Sequence, residues 1–126
     1  MEKTITIGKK EYLMKSSAFT PIAYKNETGK SLITELTNIA NKYQDLDIDK
    51  MDKMEILSKF DELEEILTMT LRIAYIMSKE AKSITGGFDE FLMGIDNYLD
   101  NLDWMMEVVM LAMTPLSGGI QNIKIS

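Results

Sequence analysis

A chain of 126 residues, 45% hydrophobic and 27% charged, fits one globular domain that can bury a core without a metal or a staple. It has no cysteine and no histidine, which excludes disulfides, thiolate nucleophiles, Cys/His zinc sites and imidazole acid–base chemistry. Its net charge of -6 is uneven: residues 1–82 hold fourteen acids and thirteen bases, whereas residues 83–123 hold six acids and no base.

Those six are Asp89, Glu90, Asp96, Asp100, Asp103 and Glu107. Such a field disfavours a phosphate backbone and favours a basic protein partner; the alternative is a solvated face that keeps a sticky protein soluble. No apolar run approaches the roughly eighteen residues that cross a bilayer. The start, Met1 to Ile5, lacks a basic region followed by an apolar stretch, so no leader and a cytoplasmic location are expected.

In chain order, Thr4-Ile5-Thr6-Ile7 alternates and is β-branched, Gly8-Lys9-Lys10 turns, and Glu11 to Met14 returns. This predicts a hairpin whose apolar face packs on helices or on a neighbouring chain, because a lone two-stranded ribbon is marginal. A short helix capped by Ser16 or Ser17, or starting at Thr20-Pro21, runs to about Tyr24 or Lys25 and is broken by Asn26 to Gly29. A second helix spans about Lys30 to Lys42, with Leu32, Ile33, Leu36, Ile39, Ala40 and Tyr43 on its apolar face. Residues 44–52 read as an acid-rich loop.

The strongest periodicity runs from about Lys53 to Lys82, where Ile56, Phe60, Leu63, Leu67, Leu71 and Ala74 recur three or four apart. This is the expected central helix, acidic early and basic late in accord with its dipole, and stopped by Gly86-Gly87. A short helix is expected over Phe88 to Asn97 with Phe88, Phe91, Leu92 and Ile95 inward. The last starts near Asp100 or Asn101 and ends at Pro115. The whole reads as mainly α with a small N-terminal β-hairpin: one compact domain of about four to five helices around a long central one. Residues 115–126 are expected to be a flexible tail.

Three motifs fall short of chemistry. Gly29-Lys30-Ser31 ends like a phosphate loop, but the glycine required five positions earlier is Tyr24. Asp45-x-Asp47-x-Asp49 alternates like a calcium loop, but Lys50 replaces its glycine and Ile56 its bidentate glutamate. Asp61, Glu62, Glu64 and Glu65 lie among lysines on what should be an outer helix face, and no sequence feature points to a pocket that would split their pKa values. Lys9, Lys10 and Lys15 form a basic cluster too small, and too interrupted by Glu11, to predict nucleic-acid binding. No catalytic residue, cofactor or metal site is therefore expected.

The last helix is different. Leu102, Met105, Met106, Val109, Met110 and Met113 cover more than a stripe, and Trp104, Val108, Leu111 and Ala112 fill much of the rest. A helix apolar on nearly all sides is either core or covered by a partner. Methionines adapt to varied surfaces, and Tyr98 and Trp104 are anchors of the kind found in interfaces. Tyr98, Leu102, Trp104, Met105, Met106, Val109, Met110 and Met113 are thus the candidate protein-binding residues.

The stretch ITIGKKEYLMK, a short helix, YKNETGKSL, and a long helix ending IAYIMSKEAK together resemble tail assembly chaperones of long-tailed bacteriophages and prophages of Gram-positive bacteria. The likeness covers about residues 3–110. The hairpin and the Thr28-Gly29-Lys30 turn carry most of it, followed by Ala74-Tyr75 through Ala81 and the FDEF segment at 88–91. The resemblance implies a non-enzymatic protein that binds and solubilises the tape measure protein, helps recruit tail tube subunits in the host cytoplasm, and is absent from the finished virion. A small structural or adaptor protein of the tail or head–tail junction is the alternative. No family binding residue is carried over, because no compact motif marks one. The acidic, methionine-rich C-terminal region, from composition and periodicity, would suit a long, partly apolar helical partner.

Overall fold

A computed structural model describes residues 1–116, and in it the alternating start forms the expected hairpin. Strand β1 (Glu2–Ile7) pairs antiparallel with β2 (Lys10–Lys15), Ile7 opposite Lys10 and Glu2 opposite Lys15. The turn is therefore only Gly8-Lys9, and Lys10 belongs to the strand. Gly8 has φ +66, as the first position of a two-residue hairpin turn can require, and a Cβ there would run into the carbonyl oxygen of Asp96. Ile5, Ile7, Tyr12 and Met14 form the buried face. It packs within the chain, β2 against the long helix α4 (Phe60–Glu80) and β1 against the last helix α6 (Asp103–Met113).

Helix α1 (Phe19–Thr28) continues three residues past the expected break. Asn26 and Glu27 point to solvent, Glu27 pairs with Arg72 of α4 at 3.3 Å, and the Thr28 hydroxyl bonds the Tyr24 carbonyl. Gly29, left-handed at φ 76, is the stop. Helix α2 (Leu32–Asp45) starts at Ser31, whose hydroxyl accepts from the Thr34 N–H. Its buried face is Leu32, Glu35, Leu36, Ile39 and Tyr43. Ile33, expected inside, is 59% exposed, and Glu35 is buried in its stead. After a short 3-10 turn (Ile48–Lys50), helix α3 (Lys53–Ser58) opens with a capping box between Asp52 and Glu55.

The expected single helix from Lys53 to Lys82 is two, α3 and α4, separated at Lys59. The Glu55 carbonyl accepts both the Lys59 N–H, at 3.0 Å, and the Ser58 hydroxyl, and Lys59 leaves helical geometry at φ -108 and ψ 19. The apolar spacing carries across it, which hides the break: Ile56 and Phe60 both pack into one core. Among the described residues this split makes six helices where about four to five were expected.

Helix α4 is central, as its periodicity predicts. It touches β2, α1, α2, α3, α5 (Phe88–Met93) and α6. It ends at Glu80, six residues before the glycine pair. Lys82 takes φ 59 and the Ser83 N–H reaches back to the Ser78 carbonyl at 3.1 Å. Helix α5 is shorter than expected, closing at Gly94, and Phe88, Leu92 and Ile95 still pack on the core beside buried Phe91. Helix α6 starts at Asp103, whose N–H donates to the Asn101 side chain, and Leu116 packs half-buried after Pro115. The rest of the expected tail lies outside the described residues. Among those described, no helix is long and apolar enough to cross a membrane.

Two positive-φ positions yield opposite expectations. Gly8→Ala should lower stability by about 2 kcal/mol or more, read as a depressed melting temperature, because it adds both strain and a backbone collision. Lys82→Gly should raise stability by up to about 1 kcal/mol, because the left-handed cap no longer opposes a Cβ.

Candidate protein-binding site

The apolar character of α6 divides sharply in the fold. Leu102 (3% exposed), Trp104 (2%), Met105 (0%) and Val109 (1%) are sealed in this chain's own core. The Trp104 indole N–H donates to the Tyr98 carbonyl at 3.0 Å, and the two rings sit 6.4 Å apart. Trp104 thus anchors the 98–102 turn, and Tyr98 remains half-buried at the rim. Of the eight candidate residues, only Tyr98, Met106, Met110 and Met113 reach the surface at all.

What α6 offers outward is a stripe at helical spacing: Asp103, Met106, Glu107, Met110 and Met113. Met110 is half exposed. Glu107 is held at one side by Lys3 of β1, 3.5 Å away. Met106 also lines a cleft of about 560 Å³ with Ala40, Tyr43 and Gln44 of α2 and the 47–49 turn. In that turn the Tyr43 hydroxyl donates to Asp49 Oδ1 at 2.7 Å. Burial, and then this bond to a carboxylate, push the Tyr43 hydroxyl far above its usual range. The aspartates of the loop therefore do different work from a calcium loop: Asp49 holds Tyr43, Asp47 takes a left-handed conformation at φ 56, and Asp52 caps α3.

A second apolar surface had no sequence signal. Phe19 and Ile22 of α1 are 54% and 55% exposed, and Phe19 borders a small groove with Ala23, Tyr75 and Ile76. Polar bonds fix α1 there: the hydroxyls of Ser17 and Thr20 both donate to the Glu80 carboxylate.

The other motifs are structural where they stand. Gly29 caps α1 and Ser31 caps α2. Asp61, Glu62, Glu64 and Glu65 are all exposed on α4. All five tyrosine hydroxyls are raised above their ordinary range, burial being the largest cause in each, so none is a phenolate near neutral pH. Among the described residues no three carboxylates are grouped to hold a metal ion. Comparison with family models, with curated proteins and with solved structures returns no match for this chain.

The division of α6 is open to measurement. Met105→Gln should cost about 2–5 kcal/mol, since it places an amide in a filled core. Met110→Gln should leave the unfolding free energy within about 0.5 kcal/mol of the parent, as surface changes do.

Proposed function

We propose that this chain is a non-enzymatic tail assembly chaperone of a phage or prophage, which binds and solubilises the tape measure protein and assists tail tube assembly in the host cytoplasm. The observation that carries the reading is the outward methionine stripe of α6. Three flexible apolar side chains, Met106, Met110 and Met113, stand together on one helix face beside two carboxylates. Met106 and Met113 lean on the core with part of each side chain and leave the rest open, and Met110 between them is half exposed. Methionines on an open face suit repeated, transient contact with varied apolar segments, which is what a holder of a long partner requires. The resemblance over residues 3–110 supplies the identity of the partner, and the dispersed, solvated carboxylates favour binding over catalysis.

A second reading, a structural or adaptor protein of the tail, draws on the separate apolar face of α1. A bridge needs two surfaces, and Phe19 and Ile22 offer another. Retention in purified virions would favour that reading.

Co-expression with the tape measure protein of the same tail gene cluster tests the proposal. The chain should keep that protein soluble and co-purify with it. The Met106→Glu, Met110→Glu double variant should keep its helical circular dichroism and lose the complex. An insoluble tape measure protein with no co-purification would overturn the chaperone reading.

A further inference from the structure

Sulfur enters this chain only as methionine, eleven times, and no cysteine thiol stands ready to intercept an oxidant. The fold sorts those methionines sharply. Met14, Met77 and Met105 are fully buried, and the one tryptophan, Trp104, is sealed in the same core. Met54 on α3 and Met93 at the end of α5 are largely exposed, each the lone methionine of its helix. Only on α6 do methionines that reach the surface recur. Met106, Met110 and Met113, four and three residues apart, lie along one outer face. Met106 and Met113 rest partly on the core, and Met110 between them is half exposed.

That placement matters because a thioether has two chemical states. The sulfur lone pair attacks one oxygen of a peroxide and the O–O bond breaks. The proton on the transferred oxygen passes to the departing hydroxide, which leaves as water. Sulfur loses two electrons and the peroxide gains them, so an apolar side chain becomes a polar sulfoxide. On Met54 or Met93 an isolated sulfoxide meets only solvent. On α6 each one adds a strong dipole to a shared apolar stripe, where it opposes the seating of an apolar segment. The helix itself is held from its other side by Met105, Val108, Val109 and Ala112, all buried out of reach of the oxidant.

We propose that the outward face of α6 is a peroxide-modified site, where oxidation of Met110, then of Met106 and Met113, switches off binding of apolar helices without unfolding the domain. A methionine sulfoxide reductase reverses the switch, taking two electrons from a dithiol and releasing the oxygen as water. This regulation rests on the reading of α6 as the binding face.

The experiment uses the full chain with labelled methionine methyls. Its probe is an uncharged alanine- and glutamine-based peptide with leucines along one helical face. Under hydrogen peroxide, peptide mass mapping should show Met110 oxidised at least about tenfold faster than Met14, Met77 or Met105. The reduced chain should bind the probe with shifts at the Met106, Met110 and Met113 methyls. The oxidised chain should bind it about tenfold more weakly, keep its helical circular dichroism, and recover after treatment with reductases for both sulfoxide epimers. Met54→Leu with Met93→Leu should lose binding on oxidation as the parent does. Met106→Leu with Met110→Leu and Met113→Leu, whatever its starting affinity, should show the same affinity before and after peroxide. Met110 reacting no faster than Met105 would overturn the proposal. So would a reduced chain with no shifts on α6, an affinity unmoved by oxidation, loss of the helical signal, or an undiminished response in the α6 leucine variant. The tape measure protein takes no part in this test. A chain that passes it yet fails to solubilise that protein refutes the chaperone reading alone.

Discussion

Six consecutive residues of α4, Ile73 to Ser78, are buried, and the arrangement of everything else follows from that. At 3.6 residues per turn, six in a row point in every direction around the axis. That half of the helix needs a wall on all sides, and β2, α1, α5 and α6 supply it. The first half of α4 obeys a different rule. Leu63, Ile66 and Leu67 are buried, while Asp61, Glu62, Glu64, Glu65 and Thr68 are exposed. One helix is thus a core at one end and an outer wall at the other. An acidic groove remains there because α2 covers only part of that outer half.

The hairpin depends on the same helix for its existence. Two strands alone are marginal, and this pair is tied down at both ends. At the turn, Gly8 lies against the backbone of Asp96 with no room for a side chain. At the open end, buried Ser16 donates to the Leu111 carbonyl of α6 at 2.7 Å, and Ser83, just past α4, donates to the Leu13 carbonyl at 2.6 Å. Of the two bonds the one from Ser16 is buried, where a hydroxyl left without its partner costs about 1–3 kcal/mol. Small hydroxyls thereby join strand to helix ends across 70 to 95 residues of sequence. They make the hairpin part of the helical core rather than an appendage.

The elements that were legible in the sequence are those whose own periodicity decides them. Thr4 to Ile7 alternates, and β1 alternates; Leu63, Leu67, Leu71 and Ala74 recur at helical spacing, and all four are buried in α4. What escaped was decided by partners distant in the chain or by one local bond. The break at Lys59 is a single residue off helical geometry, at φ -108 and ψ 19, and the extra turn of α1 has Glu27 paired with Arg72. The candidate site was half legible. An all-round apolar α6 correctly demands cover on most sides. Composition alone cannot say that Leu102, Trp104, Met105 and Val109 take the inner positions, that Met106 and Met113 sit half-buried at the edge, and that Met110 faces out. Glu35 did carry a signal. It falls three residues after Leu32 and four before Ile39, inside the buried stripe, where a carboxylate is out of place.

Helix α2 separates the two surfaces that remain open. Ala40, Tyr43 and Gln44 border the cleft beside Met106, and Glu35, Asn38 and Asp45 border the acidic groove. The division is chemical as well as spatial. Apolar contact along the methionines tolerates many sequences, because dispersion and area burial are nondirectional and thioether chains repack at little cost. The acidic side is directional instead: its outer carboxylates are solvated, and Glu35 is held in place by the Tyr24 hydroxyl at 3.0 Å. The same fourteen-residue helix thus borders a partly apolar cleft on one side and a charged, solvated groove on the other.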